Sequence, residues 1–328
     1  MFLNLAAGTY NFAKANLKEP ESNPFPGALP QSGSAIKRPV IERLRAQDGM
    51  QLGYRFWQGK AGAPVAVCLH GIEGHGQWFE KTAAALNERG ITVYAADRRG
   101  SGMNPRERGH LSRDRVFLSD IEGFLRKVSA EHPGCPIVLV ASCWSAKAGA
   151  IVARGDYKPV DPAFRTSLAG LILICPAIYT KVDLTLLTKL HIAWQLLQAS
   201  DRLMQYWPLP LSPAMYTNEP EYLQFLEKDP LRLKEVTASF LIATLFLSLR
   251  AKRAAKSISL PVLIIQSGAD QIVDIERVGE WYGGIASENK TMRIFPDAFH
   301  SIDFDRTWFK EYTHLLSEWL LSRSPVTA

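Results

Sequence analysis

The sequence predicts an α/β protein with a mostly parallel central sheet, flanking helices and a helical cap insertion. Six short apolar runs alternate with helix-length segments, which is typical of parallel strands buried on both faces by covering helices. The alternation is interrupted once, between residues 177 and 257, by two long stretches that are apolar on more than one helical face. These observations predict the fold class and its one large insertion.

The first predicted element is a β-hairpin at residues 40–59. Apolar and polar residues alternate on both sides of Asp48-Gly49, a dipeptide that favours a tight turn between strands. No strand is predicted between Pro176 and Leu260. The predicted parallel strands follow in chain order at 64–69, 91–96, 136–141, 169–175, 261–266 and 291–295.

These elements divide the chain into three parts. Residues 1–39 are expected to be an irregular lead-in, because their second half is rich in Pro, Gly and Ser. Residues 40–176 and 258–328 are expected to form the α/β core. Residues 177–257 are expected to form a cap over the ends of the strands, since they follow a sheet strand directly.

Composition and charge are those of an ordinary soluble globular protein. Of 328 residues, 47% are hydrophobic and 21% are charged, and the formal net charge is +6. Nucleic-acid binding is not predicted at so modest a charge. No window reaches the ~18 uninterrupted apolar residues of a membrane-spanning helix, and the N-terminus lacks the basic start of a signal peptide. Because the pattern of cysteines does not require disulfides, a reducing, cytoplasmic location is expected.

One basic run, residues 250–256, stands out locally. It is expected to solvate a helix face. Contact with a membrane surface or with an acidic acyl carrier protein remains an alternative for this run.

The four cysteines show neither CxxC spacing nor clustering with histidine. No metal site, cofactor or disulfide is therefore predicted. Cys68 and Cys175 lie in apolar strand-like runs and are expected to be buried core thiols.

Reactive residue types follow the predicted strands, where open parallel sheets bind ligands. Their chain order is nucleophile, Asp, His. These segments resemble the α/β-hydrolase fold family, in its monoacylglycerol-lipase and lysophospholipase-like (serine aminopeptidase-type) branch, over about residues 40–325. The resemblance is carried by "HGIEGHGQW" at 70–78, "DRRGSGMN" at 97–104, "GADQIVD" at 268–274 and "FPDAFHSI" at 295–302.

The nucleophile turn departs from the family pattern, since "VLVASCWSAKAGA" at 138–150 contains no Gly-x-Ser-x-Gly. That turn needs small residues two positions to either side of the nucleophile, because the strand and helix approach closely there. Only Cys143 has two small flanks, Ala141 and Ser145, so Cys143 is the predicted nucleophile. Two alternatives stay open. In the first, the turn is shifted and Ser145 is the nucleophile. In the second, the protein is an inactive relative of the family and Cys143 is only a structural thiol.

The resemblance implies a Cys143–His300–Asp270 triad, with Asp274 as the rival acid. A thiol at a helix start beside His300 is expected to have a lowered pKa. The backbone N–H groups of Ile72 and Trp144 are the predicted oxyanion donors.

The remaining polar residues of these motifs are assigned supporting positions. Residues 70–78 resemble the loop that supplies one oxyanion donor in the family, called here the oxyanion loop. His70 and His75 are expected to order this loop by hydrogen bonds or to pack within it. The charged residues Asp97, Arg98 and Arg99 are expected to fix a turn by ion pairing, and the acidic residues Asp297, Asp303 and Asp305 are expected in turns or on the surface.

The predicted function is hydrolysis of a hydrophobic acyl ester or thioester, free or carrier-bound, through an acyl-Cys143 intermediate. The apolar cap supports such a substrate. Its aromatic residues can instead serve to pack the cap against the core. These residues are Trp194, Tyr206, Trp207, Phe225 and Phe240. An acyltransferase or condensing enzyme and a non-catalytic binding protein are the alternatives.

Overall fold

The computed structural model describes residues 38–161, 164, 168–198 and 204–323. An eight-stranded sheet of order β1-β2-β4-β3-β5-β6-β9-β10 lies at its centre. β1 and β2 form the predicted hairpin, and β2 pairs antiparallel with β4. The other neighbours in the sheet are parallel. The strands are β1 Val40–Arg45, β2 Gln51–Trp57, β3 Val65–Leu69, β4 Thr92–Ala96, β5 Ile137–Ser142, β6 Gly170–Ile174, β9 Val262–Ser267 and β10 Lys290–Phe295.

Helices cover this sheet, as the predicted fold class requires. They are α1 Glu80–Glu88, α2 Asp114–Glu131, α3 Ala146–Val152, α4 Leu186–Gln198, α5 Pro213–Tyr216, α6 Pro220–Lys228, α7 Ala238–Lys252, α8 Ile275–Gly283 and α9 Phe309–Leu321. No helix among the described residues is long and apolar enough to cross a membrane.

All six predicted parallel strands are present, with ends that differ by one residue. Five of them begin one position later than predicted, and in three of these the residue skipped is a proline, namely Pro64, Pro136 and Pro261. Proline has no N–H to donate to a sheet ladder, so the regular pairing begins at the next residue.

The prediction that residues 177–257 contain no strand is wrong. Besides α4 to α7, this segment holds β7 Tyr206–Pro208 and β8 Glu235–Thr237, which pair antiparallel. Strands of three residues are too short to show a period, and this pair joins positions about thirty residues apart. The predicted lead-in lies outside the described residues up to position 37.

The inserted segment is tied to the core through the loop after β3. A buried ion pair joins Arg232 to Glu73 at 2.7 Å. Asp229 accepts hydrogen bonds from His75 Nε2 at 2.8 Å and from Trp78 Nε1 at 3.1 Å. His75 therefore orders the loop by a bond to the insertion.

The basic run at 250–256 lies at the end of α7, as expected for a solvated helix face. Lys252, Arg253 and Lys256 are exposed. Arg250 forms an ion pair with Asp114 at 2.8 Å.

Asp303 is a correction to the sequence analysis, because it is buried and not on the surface. Its carboxylate accepts hydrogen bonds from the Thr82 and Tyr312 hydroxyls. Burial raises the pKa of Asp303 to about 6, although the Thr82 bond opposes the shift. Asp297 is exposed in a turn, as expected. Asp305 accepts a bond from the Trp308 N–H in a turn, but it too is buried.

We expect the raised pKa of Asp303 to make folding less stable as the pH rises from about 4 to 6. In this range the unfolded carboxyl is ionised while the folded one still holds its proton, so the folded state binds more protons. Relative to Asp303→Asn, the wild type should lose about 3 kcal/mol, from about two pKa units. Urea unfolding of both proteins at pH 4.5 and 7 measures about 2 kcal/mol of this loss, because part of it has already occurred at pH 4.5. Asp297→Asn serves as the exposed control, and an equal gap between wild type and Asp303→Asn at both pH values would contradict the expectation.

Candidate active site

Cys143 lies at the sharp turn between β5 and α3. Its φ is +51°, in the left-handed region that non-glycine residues adopt only under constraint. Ser142 is extended, with φ −101°, and Ser145 is helical, with φ −69°. Of the three neighbouring candidates, Cys143 alone has the backbone geometry of a nucleophile turn.

Small residues allow the strand and the helix to approach each other at this turn, as expected from the sequence. A Cβ on Gly149 in α3 would come within 2.8 Å of Ala141 in β5. The Ser145 hydroxyl donates a hydrogen bond to the His70 carbonyl at 2.5 Å, which joins the turn to the loop after β3. Ser145 thus supports the site, and its hydroxyl is engaged away from Cys143.

His300 and Asp270 come together from the loops after β10 and β9. His300 Nδ1 lies 2.8 Å from Asp270 Oδ2. Since an ionised carboxylate can only accept, Nδ1 carries the proton and Nε2 is left for Cys143. The rival acid Asp274 instead accepts a bond from the Arg277 N–H and caps α8.

Asp270 is itself held by several donors. Its Oδ1 accepts from the backbone N–H groups of Ile272 and Val273 at 2.8 and 3.0 Å. Gln266 Nε2 donates to its Oδ2 at 3.1 Å. These bonds fix the carboxylate in the orientation that holds His300.

The electrostatics of the site favour a thiolate–imidazolium pair. Burial by itself raises the pKa of Cys143, but the charge and hydrogen bond of His300 and the charge of Lys147 outweigh it and lower the pKa. Burial lowers the pKa of His300, but the charges of Asp270 and Cys143 raise it well above its usual value. The two groups titrate as a coupled pair.

The loop after β3 packs directly on the Cys143 side chain. A Cβ on Gly71 would meet Cys143 Cβ at 3.0 Å and Sγ at 3.4 Å, so any larger residue there would press on the Cys143 side chain. The Gly71–Ile72 peptide is consequently next to the thiol. Trp144 is the second residue of the short helix Cys143–Ser145, where backbone N–H groups have no partner within the helix.

Two side chains fix the orientation of the Gly71–Ile72 peptide. The Gly71 carbonyl accepts from His70 Nδ1 at 2.7 Å and from Arg98 at 3.3 Å. In a trans peptide the C=O and the next N–H point in opposite directions. Bonds that hold the Gly71 oxygen on one side therefore direct the Ile72 N–H to the other.

Arg98 differs from the expectation of ion pairing in a turn. It also donates to the Ile72 carbonyl at 3.0 Å, and its guanidinium lies 4.8 Å from the Trp144 ring and 5.2 Å from the Phe240 ring. It forms no ion pair among the described residues. Arg98 thus links the oxyanion loop, the residue after Cys143 and the insertion.

The neighbours of Arg98 do form the ion pairs that were expected. Asp97 pairs with Arg55 at 3.4 Å. Arg99 pairs with Asp120 at 2.7 Å and with Asp48 at 2.8 Å. These residues fix the turn after β4.

The other buried cysteines have protonated thiols. Burial raises the pKa of Cys68 and of Cys175, each fully or nearly fully buried as expected. Cys175 nonetheless lies near the site: its Sγ, an Asp270 oxygen and a His300 nitrogen lie within 4.8 Å of one another. A protonated thiol is a poor metal ligand, and Asp270 and His300 are already bonded to each other.

Sequence reasoning missed Gln266, Cys175 and Lys147 as neighbours of the site. Cys175 follows β6, which lies beside β5 in the sheet, so its position after an adjacent strand was a usable signal. Lys147 lies four residues after Cys143, and a spacing of one helical turn was likewise a usable signal. Gln266 lies inside an apolar strand, and no sequence signal distinguishes it.

Comparison with known proteins agrees with this architecture. The sequence model of the family described as serine aminopeptidase, S33, matches residues 62–307. Human monoglyceride lipase is 25% identical over 279 residues, which cover 84% of this chain and 87% of that protein. The phospholipase YtpA of Bacillus subtilis is 26% identical over 258 residues, covering 75% and 92%.

A solved structure of a soluble variant of monoglyceride lipase from Saccharomyces cerevisiae, in complex with a substrate analog, superimposes with a TM-score of 0.76 at 19% identity, covering 89% of this chain and 98% of that one. At an identity this low, the structural similarity is evidence for a shared fold alone. The family match covers most of the chain and coincides with the predicted strands and loops. The chain therefore belongs to the serine aminopeptidase, S33, family and is a hydrolase with the α/β-hydrolase fold.

Proposed function

We propose that this chain hydrolyses esters of hydrophobic acyl groups through a thioester formed on Cys143. The observation that carries the proposal is the buried Cys143 thiol at a left-handed turn, with a pKa lowered by the adjacent His300 that Asp270 holds. This is the arrangement of an activated nucleophile, its acid–base partner and an orienting carboxylate.

In the first half of the reaction, the Cys143 thiolate attacks the ester carbonyl carbon. The amides of Ile72 and Trp144 donate hydrogen bonds to the oxyanion that forms. His300 Nε2 then gives its proton to the leaving alkoxide oxygen as the C–O bond breaks. The products of this half are an alcohol, an acyl thioester on Cys143 and a neutral imidazole.

In the second half, water replaces the alcohol. His300 Nε2 accepts a proton from water while the water oxygen attacks the thioester carbonyl. Collapse of the intermediate breaks the C–S bond, releases the carboxylic acid and restores the thiolate–imidazolium pair. A different acceptor in place of water would make the same site an acyltransferase.

Exposed apolar side chains on the insertion support a hydrophobic substrate. They are Leu186, Leu187, Leu190 and Trp194 on α4 and Leu245, Phe246 and Leu249 on α7. Phe225 and Phe240 are buried and pack within the protein. The relatives named monoglyceride lipase make a monoacylglycerol the first ester to test, and an acyl thioester, free or on a carrier, the second.

Trapping of the acyl-enzyme tests the proposal. Wild type, Cys143→Ala and Cys135→Ala are mixed with a monoacylglycerol or an acyl thioester, quenched in acid and analysed by mass spectrometry. Trypsin releases residues 128–147 as one peptide that contains both Cys135 and Cys143, so fragmentation must locate the acyl group.

We expect the acyl group on Cys143 in wild type and in Cys135→Ala, and none in Cys143→Ala. Free fatty acid as the product supports hydrolysis, whereas transfer of the acyl group to an added alcohol or amine indicates an acyltransferase. Turnover with acylation of Ser145, or turnover that Cys143→Ala leaves unchanged, would overturn the proposal.

A further inference from the structure

Lys147 has a largely buried side chain and no hydrogen-bonding partner among the described residues. Its side chain lies in α3, one helical turn beyond Cys143, and the residue is only 4% exposed. In the part of the chain that the structure describes, it forms neither a hydrogen bond nor an ion pair. Its Nζ is not one of the fully enclosed side-chain atoms that lack a partner, so the ammonium reaches open space, where it can bind an anion.

The charged groups that act on Lys147 are Cys143 and Lys252. Burial lowers the pKa of Lys147 to about 8; the negative charge of Cys143 favours its protonated form and the charge of Lys252 disfavours it. Lys252 lies over the Tyr179 ring at 4.9 Å, and Arg277 lies over the same ring at 4.2 Å. Lys147 is therefore under the influence of one negative charge, that of the Cys143 thiolate, and one positive charge, that of Lys252.

The thiolate cannot satisfy Lys147 throughout a reaction. Once Cys143 carries an acyl group it is a neutral thioester, and its negative charge is lost. The charge of Cys143 that favoured the protonated form of Lys147 is then gone, so the pKa of Lys147 falls further unless the substrate supplies a negative charge. An anionic group on the acyl part of the substrate would remain beside Lys147 in the acyl-enzyme.

We propose that Lys147 is a specificity-determining residue that binds a carboxylate on the acyl part of the substrate, next to Cys143. A single ammonium in a confined position suits a monoanion, whereas phosphate groups more often require a fork of donors. The carboxylate subsite extends the proposed ester hydrolysis to acyl groups with a second, ionised carboxyl. The binding of an anion beside Cys143 does not depend on that reaction.

Alkylation of Cys143 by two matched reagents tests the subsite without any ester. The thiolate displaces iodide from iodoacetate, an anion, or from iodoacetamide, its neutral near-isostere. The ratio of the two rates is the readout, since a change in the pKa of Cys143 alters both rates by the same factor. Cys135 in the same protein is the internal reference, measured by fragmentation of the tryptic peptide 128–147, which becomes 128–154 in Lys147→Met because that variant lacks the cleavage site at 147.

We expect the iodoacetate/iodoacetamide ratio at Cys143 to exceed that at Cys135 by about tenfold, equivalent to about 1.4 kcal/mol. Lys147→Met should remove this preference, Lys147→Arg should retain most of it, and the exposed control Lys256→Met should leave it unchanged. In wild type, propionate should slow the alkylation by iodoacetamide more than propionamide does. Equal ratios in wild type and Lys147→Met, or no protection by propionate, would overturn the subsite.

A pair of esters links the subsite to catalysis. The butyryl and succinyl monoesters of glycerol share a leaving group and differ by a methyl group replaced with a carboxylate. The ratio of their kcat/KM values should favour the succinyl ester in wild type and fall about tenfold in Lys147→Met. If neither ester is hydrolysed, the proposed function fails, while the alkylation ratio still decides the anion site.

Discussion

Replacement of Cys143 by alanine is expected to lower kcat for ester hydrolysis by at least about 10³-fold. The substitution removes the sulfur that forms the acyl-enzyme and leaves only the oxyanion donors and substrate binding, and nucleophile deletions in related triads have effects of this size or larger. KM should change little, because alanine preserves the small residue that the turn requires. Steady-state kinetics with a monoacylglycerol measures the change.

Serine variants separate the competing nucleophiles. Cys143→Ser should retain more activity than Cys143→Ala but less than wild type, since a hydroxyl does not ionise beside His300 and depends on base assistance. Ser145→Ala should reduce activity modestly, because it loses only the bond to the His70 carbonyl. A Ser145→Ala variant that loses all activity while Cys143→Ala keeps its activity would assign the nucleophile to Ser145.

Replacement of Asp270 by asparagine is expected to lower kcat by about 10⁴-fold. An amide can present its NH₂ group to His300 Nδ1, which favours the wrong tautomer for proton transfer at Nε2. The bonds from Ile272 and Val273 to Oδ1 can be kept, so folding should survive. Asp274→Asn, at the helix cap, is the matched control and should leave kcat within about a factor of two.

The Asp270→Asn variant is also expected to change the pH dependence of kcat. The charge of Asp270 raises the pKa of His300, so its removal should lower that pKa. The imidazolium that protonates the leaving group is then lost at lower pH, and the alkaline limb of the kcat profile moves to lower pH. A profile whose alkaline limb is unmoved in Asp270→Asn would show that Asp270 does not act through His300.

Much of the architecture was predictable because it depends on local patterns. β-branched apolar runs mark strands buried on both faces, and Asp48-Gly49 marks the hairpin turn. The steric rule for the nucleophile turn selected Cys143, and the structure shows a left-handed φ at Cys143 alone among the three candidates. Asp270 was preferred to Asp274 by its spacing from the strand, and its carboxylate is the one bonded to His300.

Other features depended on contacts between distant parts of the chain. Asp303 looked like a turn residue, but Thr82 and Tyr312 enclose it. Arg98 looked like its ion-paired neighbour Arg99, but it donates to backbone carbonyls of the oxyanion loop. Whether a charged side chain is buried, and by what, is decided by elements far away in sequence.

The sequence by itself determined the family, the order of strands and helices, and the residues at the strand ends that form the Cys143, His300 and Asp270 cluster. These follow from periodicity and from the steric demands of single turns, which act over a few residues. The tertiary structure alone decided that Arg98 and His70 orient the Gly71–Ile72 peptide and that the largely buried Lys147 has no hydrogen-bonding partner among the described residues. Such properties arise from burial and from long-range hydrogen bonds, because they exist only once the sheet, the loops and the insertion have packed together.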